Sequence, residues 1–130
     1  MSDHIQFKVE ALDIKAMRYY TPGDYEVDKD EALLRVTVTT MPYVSEMAVA
    51  LHEIVEATLC RVAGITEKEV FDFDQMWNEE QGHLYGEEPG SDLRAPYRDQ
   101  HLKAEEIERL FVEAAGMDWQ EHCQNVEGSM

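Results

Sequence analysis

Leu34-Arg35-Val36-Thr37-Val38-Thr39-Thr40-Met41-Pro42-Tyr43 is where the chain changes its period. Leu34, Val36 and Val38 alternate with Arg35, Thr37 and Thr39, so the apolar side chains line one face of a strand. Past Pro42 the spacing becomes helical and continues to Gly64, a residue suited to the left-handed position after a helix. Strand character precedes this junction and helix character follows it. That order predicts an α+β fold: a small, mostly antiparallel N-terminal sheet, then three to four helices packed on one side of it.

Working back towards the N-terminus, Ile5, Phe7 and Val9 alternate with polar neighbours and read as a half-buried strand. Residues 16–20 read as a second extended piece. Thr21-Pro22-Gly23-Asp24 reads as a turn, with Pro22 presetting φ, Gly23 accepting a positive φ, and Tyr25 and Val27 pairing back across it. The sheet is expected to occupy residues 1–40. Working forward, helices are expected over 43–63, 66–81, 96–115 and 118–126. Thr66-Glu67-Lys68-Glu69 is a capping box, and Pro96 suits a first helical position. Gly82 to Asp92 reads as a loop, and the acids from Glu79 to Glu88 read as solvated. Trp77 and Trp119 read as core anchors. No repeat or linker is visible, so the expectation is one domain, 1–130.

The formal net charge is −17, from 28 acidic and 11 basic residues. Such a surface repels phosphate backbones and anionic lipid, which argues against nucleic acid and membrane as partners. It favours cations or a basic protein or peptide partner. Cys60 and Cys123 are far apart and form no Cys-x-x-Cys pair, as expected of reduced thiols. The N-terminus shows no apolar signal core, and no apolar run approaches the ~20 residues of a spanning helix. The expected location is the cytoplasm.

The candidate chemistry lies in the first long helix. In Leu51-His52-Glu53-Ile54-Val55-Glu56-Ala57, His52 and Glu56 sit one turn apart and point the same way, so both can grip one ion. Apolar neighbours flank the pair, and a buried carboxylate needs a partner. Glu53 is expected further round, beside Glu46 in a more open sector. On the helix after Pro96 the apolar face is read as Ala104, Ile107, Phe111 and Ala114, with His101 at its edge. Packing of the two helices would bring His101 to His52 and Glu56. Two imidazoles and one carboxylate form a zinc ligand set with a position left for water. Glu105 as a fourth ligand would favour manganese or iron, and Glu108 is a candidate to orient His101 from outside. Glu53 is the candidate general base if an ion activates water, and otherwise a solvated acid. His83 reads as a surface residue, and His4 and His122 as near-terminal ones. Arg94 and Arg98 can face an anionic substrate or pair with Asp92, Asp99 or Glu88. The ion site can equally be structural, tying helix to helix.

His52-Glu53-x-x-Glu56 resembles the active-site helix of zincin metallopeptidases, whose pattern is His-Glu-x-x-His. In the glutamate-zincin branch a later helix supplies a glutamate; here the acid, Glu56, is on the first helix and the imidazole, His101, on the later one. The resemblance implies a minimal zincin-like layout, metal-assisted hydrolysis, and Glu53 as general base. The string His-Glu-Ile-Val-Glu-Ala, with Glu88-Pro89-Gly90-Ser91-Asp92 and Arg94-Ala95-Pro96-Tyr97, also resembles small uncharacterised proteins of bacteriophages and prophages. The alternative function is therefore a non-enzymatic acidic phage-type protein that binds a basic host protein.

Overall fold

A computed structural model describes residues 4–30, 32–81 and 88–130. Three strands form the sheet: β1 (Gln6–Leu12), β2 (Gly23–Asp28) and β3 (Leu33–Thr39), in the order β1-β3-β2. Four helices follow: α1 (Tyr43–Ala63), α2 (Glu67–Gln81), α3 (Arg98–Ala114) and α4 (Trp119–Gly128). The fold is α+β, as expected. The sheet is mixed, because β2 pairs antiparallel to β3 whereas β1 pairs parallel to it. Residues 16–20 contribute no strand. A 3₁₀ turn at Ile14–Ala16, with the Asp13 carboxylate accepting from Lys15 N, begins the crossover that a parallel pairing requires.

The strand reading at the junction holds in detail. Leu34, Val36 and Val38 are buried with Tyr25 of β2 against Val49 and Ala50 of α1. Arg35, on the other face, is exposed. Burying three aliphatic side chains in this way contributes roughly 1.5–3 kcal/mol each. β1 departs from expectation: Phe7 and Val9 share the face of Leu34 and Val36 but are 58% and 46% exposed. α1 lies over β2 and β3.

The helix signals also hold. Gly64 adopts φ 76° at the end of α1 and its N–H caps the carbonyls of Cys60 and Arg61. Thr66 and Glu69 exchange side-chain and backbone hydrogen bonds as a capping box. Pro96 is the exception: it does not open α3, which begins at Arg98 after the N-cap Tyr97. Asp118 caps α4 through the N–H groups of Gln120 and Glu121. Trp77 is a core anchor, buried with Cys60, Val70, Phe73 and Tyr97. Trp119 is only half-buried. Both cysteines are free thiols, Cys60 buried and Cys123 partly so. Among the described residues, no helix is long and apolar enough to cross a membrane.

Gly23 corrects the turn reading. Its φ is not positive, and it is already the first residue of β2. What matters is its missing side chain: a Cβ there would lie 2.7 Å from Val49 Cγ1 and 3.0 Å from Glu53 Oε1. The glycine lets α1 settle onto β2, and that approach buries Glu53.

Candidate metal centre

α1 and α3 form the most extensive helix–helix contact in the fold, and the candidate residues lie within it. The buried stripe of α3 is His101, Ala104, Glu108 and Val112. The expected stripe is rotated: Ile107 and Ala114 are exposed, and His101 is at the centre of the contact rather than its edge. Apolar periodicity cannot find a face whose inward residues include an imidazole and a carboxylate.

His52, Glu56 and His101 are all buried, and one donor atom from each converges. Glu56 Oε2 lies 3.0 Å from His52 Nε2 and 3.0 Å from His101 Nδ1, and the two nitrogens are 3.3 Å apart. Ligands about 2.0–2.1 Å from a tetrahedral ion stand roughly 3.3 Å from one another. The triangle therefore has the size of one face of a coordination polyhedron, and the group can hold a divalent ion.

The far side of each imidazole is equally informative. His52 Nδ1 donates to Glu108 Oε1 at 2.7 Å, and His101 Nε2 donates to Glu88 Oε2 at 2.8 Å. A metal-binding histidine gives its other N–H to a carboxylate in this way, which fixes the tautomer and raises basicity. Glu108 thus orients His52, not His101 as the sequence reading had it. Seven residues beyond His101 is roughly 10 Å along the helix axis, out of reach of that ring. Glu88 takes the His101 role instead. Glu108→Gln is expected to lower divalent-ion affinity about 10–100-fold, measured by chelator competition, with helix content unchanged.

The chain of contacts continues. His122 is 1% exposed, its Nε2 donates to Glu108 Oε2 at 2.6 Å, and its Nδ1 lies 2.9 Å from Ser45 Oγ. Asn125 Nδ2 also donates to Ser45 Oγ, at 3.0 Å. Its place near the end of the chain suggested no such role for His122. The spacing of Trp119, His122 and Val126 on one helical face was the available signal.

Electrostatics follow from these contacts. Burial raises the Glu56 carboxyl, but hydrogen bonds from His101 and His52 outweigh it and hold the pKa at about 2. Burial opposes charge on His101, yet the bonds to Glu56 and Glu88 push it up to about 10. His52 is likewise raised well above the usual histidine range, burial notwithstanding, by Glu108 and Glu56. These carboxylates favour the protonated form of both imidazoles.

Glu53 is not in an open sector: it is 8% exposed. Burial, and then the negative Glu56, push its carboxyl well above the usual range. Among the described residues it makes no side-chain hydrogen bond. It lines a cleft of about 550 Å³ that also reaches His52, Glu56 and His101. Glu105 and Glu127 line this cleft, as does Trp119, while no Lys or Arg does so among the described residues. Glu105 is outside the converging group. Asp74, on the cleft wall, accepts from Tyr19 Oη at 3.0 Å and from Tyr97 Oη.

The remaining candidates stand apart. Arg94 pairs with Asp92 and Glu80, and Arg98 Nε donates to Ser91 O, so neither guanidinium is directed at the cluster. His83 lies outside the described residues. Comparison with known proteins brings no further assignment: no family model, curated protein or solved structure matches the chain.

Proposed function

We propose that this protein is a small zinc-dependent hydrolase, with His52, Glu56 and His101 as ligands and Glu53 as general base. One observation carries the reading. Three donor atoms from two helices meet at coordination spacing, and both imidazoles have a carboxylate on the opposite nitrogen. An ion-pair network for stability alone does not need that second feature on both rings. Two imidazoles and one carboxylate suit zinc, with manganese or iron as alternatives if Glu105 joins the set.

A bound divalent ion supplies Lewis acidity, polarising a carbonyl and acidifying water. The chain supplies the rest. Glu53 faces the same cleft without a partner among the described residues; burial and Glu56 favour its protonated form, and beside a dication it would ionise, so that it could take a proton from water and return it to the leaving group. The carboxylate-lined walls repel phosphate esters and admit neutral or cationic substrates such as peptides. The resemblance to glutamate-zincins supports this chemistry, with the acid and one imidazole exchanged between helices. A purely acidic surface protein has no use for a buried His/Glu cluster.

Metal analysis of untagged protein tests the ligand set. The expected result is close to one equivalent of zinc, lost in His52→Ala and in His101→Ala. Glu53→Gln then separates roles: it should keep the ion and lose peptide hydrolysis by about 100-fold or more. Protein that stays metal-free, with unchanged melting on adding zinc or manganese, sinks the reading.

A further inference from the structure

We infer that β1 is a pairing edge for a second copy of this chain, joining two sheets into one six-stranded antiparallel-centred sheet. The inference does not depend on the metal centre. Gln6 N donates to Ala32 O and Leu12 O accepts from Thr40 N, so the even-numbered residues of β1 direct their backbone groups at β3. In a parallel ladder the alternate residues face the other way. The N–H and C=O groups of Phe7, Val9 and Ala11 thus point outwards, with no strand beyond them among the described residues. The opposite edge is treated differently: Val27 N of β2 donates to Glu67 Oε2 of α2 at 3.1 Å.

The side chains agree with the backbone. Phe7 and Val9 continue the apolar face of Leu34 and Val36 past the cover of α1, and both are substantially exposed. An open edge bearing exposed apolar residues is a template for strand addition.

The strand is complementary to itself. In Gln6-Phe7-Lys8-Val9-Glu10-Ala11-Leu12, antiparallel pairing about a two-fold axis at Val9 sets Val9 opposite Val9 and Phe7 opposite Ala11. It also sets Lys8 of each copy opposite Glu10 of the other. Val9 and its counterpart form a hydrogen-bonded pair, because their backbone groups face outwards. Lys8 and Glu10 then fall in the non-hydrogen-bonded positions, where cross-strand side chains come closest. A shift of one residue would set Phe7 or Val9 against the polar face, and a shift of two would set Lys8 against Lys8 or Glu10 against Glu10, so apolar face and charge together fix the register. Each copy carries a net charge of −17. Screening over about 8 Å at physiological ionic strength weakens that long-range repulsion and spares pairs in contact. One strand edge buries less than a standard interface, so the expected dimer is transient, with a dissociation constant of about 10–100 μM.

Sedimentation velocity of the full chain from about 1 to about 300 μM tests this. The wild type should pass from monomer to dimer over that range. Lys8→Glu sets two acids opposite one another and Glu10→Lys two bases, so each single variant should dimerise at least about tenfold more weakly. Both positions are exposed, so neither change threatens the fold. The double variant Lys8→Glu/Glu10→Lys recreates opposite charges with the order reversed and should dimerise like the wild type. A wild type that stays monomeric throughout overturns the inference. So does a dimer indifferent to both single changes, or a double variant that fails to recover.

Discussion

Gly90→Ala should abolish ion binding with the fold otherwise intact. Gly90 is buried in the 3₁₀ turn Pro89–Ser91, and the His101 ring lies directly against its Cα. A Cβ there would come within 2.3 Å of His101 Cγ and 2.4 Å of Nδ1, the atom that faces Glu56. Ordinary carbon contacts are about 3.5–4.0 Å, so the ring must move by roughly 1 Å or more. The turn cannot simply retreat, because the neighbouring Glu88 holds Nε2 of the same ring. A displaced Nδ1 no longer completes the triangle. Affinity for zinc should fall by more than the roughly 10–100-fold typical of losing an outer partner. Overpacking of this kind typically costs about 1–3 kcal/mol of stability, so the variant should remain folded. Titration calorimetry with zinc, beside a circular dichroism melt, reads both effects. A variant that binds zinc like the wild type would mean that His101 is not a ligand.

Ion binding should release about two protons per ion near neutral pH and reverse the pH dependence of stability. In the ion-free protein the inner nitrogens of His52 and His101 each hold a proton against Glu56, and a divalent ion displaces both. The His101 pKa is raised from 6.5 to about 10. A raised folded-state pKa gives stability that is fully present below the unfolded value and is lost as pH climbs through the folded one. Ion-free protein should therefore lose stability between about pH 6.5 and about pH 10. The depressed Glu56, with a pKa of about 2, reports the same contact from the acid side. Its contribution is present above about pH 4.5 and fades as pH falls towards about 2. Zinc-loaded protein should show the opposite slope above neutrality, because fewer protons compete for the ligands. At free zinc near 1,000 times the dissociation constant, the added stability is about 4 kcal/mol. That corresponds to more than about 10 °C in Tm for a chain of this size. Melts of both forms from about pH 6 to about pH 9, with proton release measured in two buffers, read these signs. Parallel slopes for the two forms would exclude a site built on displaceable protons.

The legible part of the molecule is the part that local chemistry governs. Period-two alternation placed β3, Gly64 ended α1, and Thr66 with Glu69 opened α2. His52 and Glu56 were readable as a pair because helix geometry alone sets residues one turn apart side by side. His101 was reachable because a second helix had to cover the first. The parallel pairing of β1, the depth of Glu53 and the turn of α3 were not legible. Each depends on how one element seats on another. Gly23 shows the difference: its residue type suggested a backbone bend, whereas its use is the space left for Val49 and Glu53.

The chain's local chemistry set β3, the succession of four helices, the stop at Gly64, the capping box at Thr66 and the one-turn spacing of an imidazole and a carboxylate, because these follow from interactions within a few residues. It did not set the strands of the sheet as a whole, since residues 16–20 form none. Only the tertiary structure decided that Glu108 and Glu88 back the two imidazoles, that His122 is buried behind Glu108, and that Gly90 makes room for the His101 ring. Those partners are 56, 13, 14 and 11 residues apart in the chain. Contacts at such separations are set by the close packing of α1, α3 and α4, which no local pattern records.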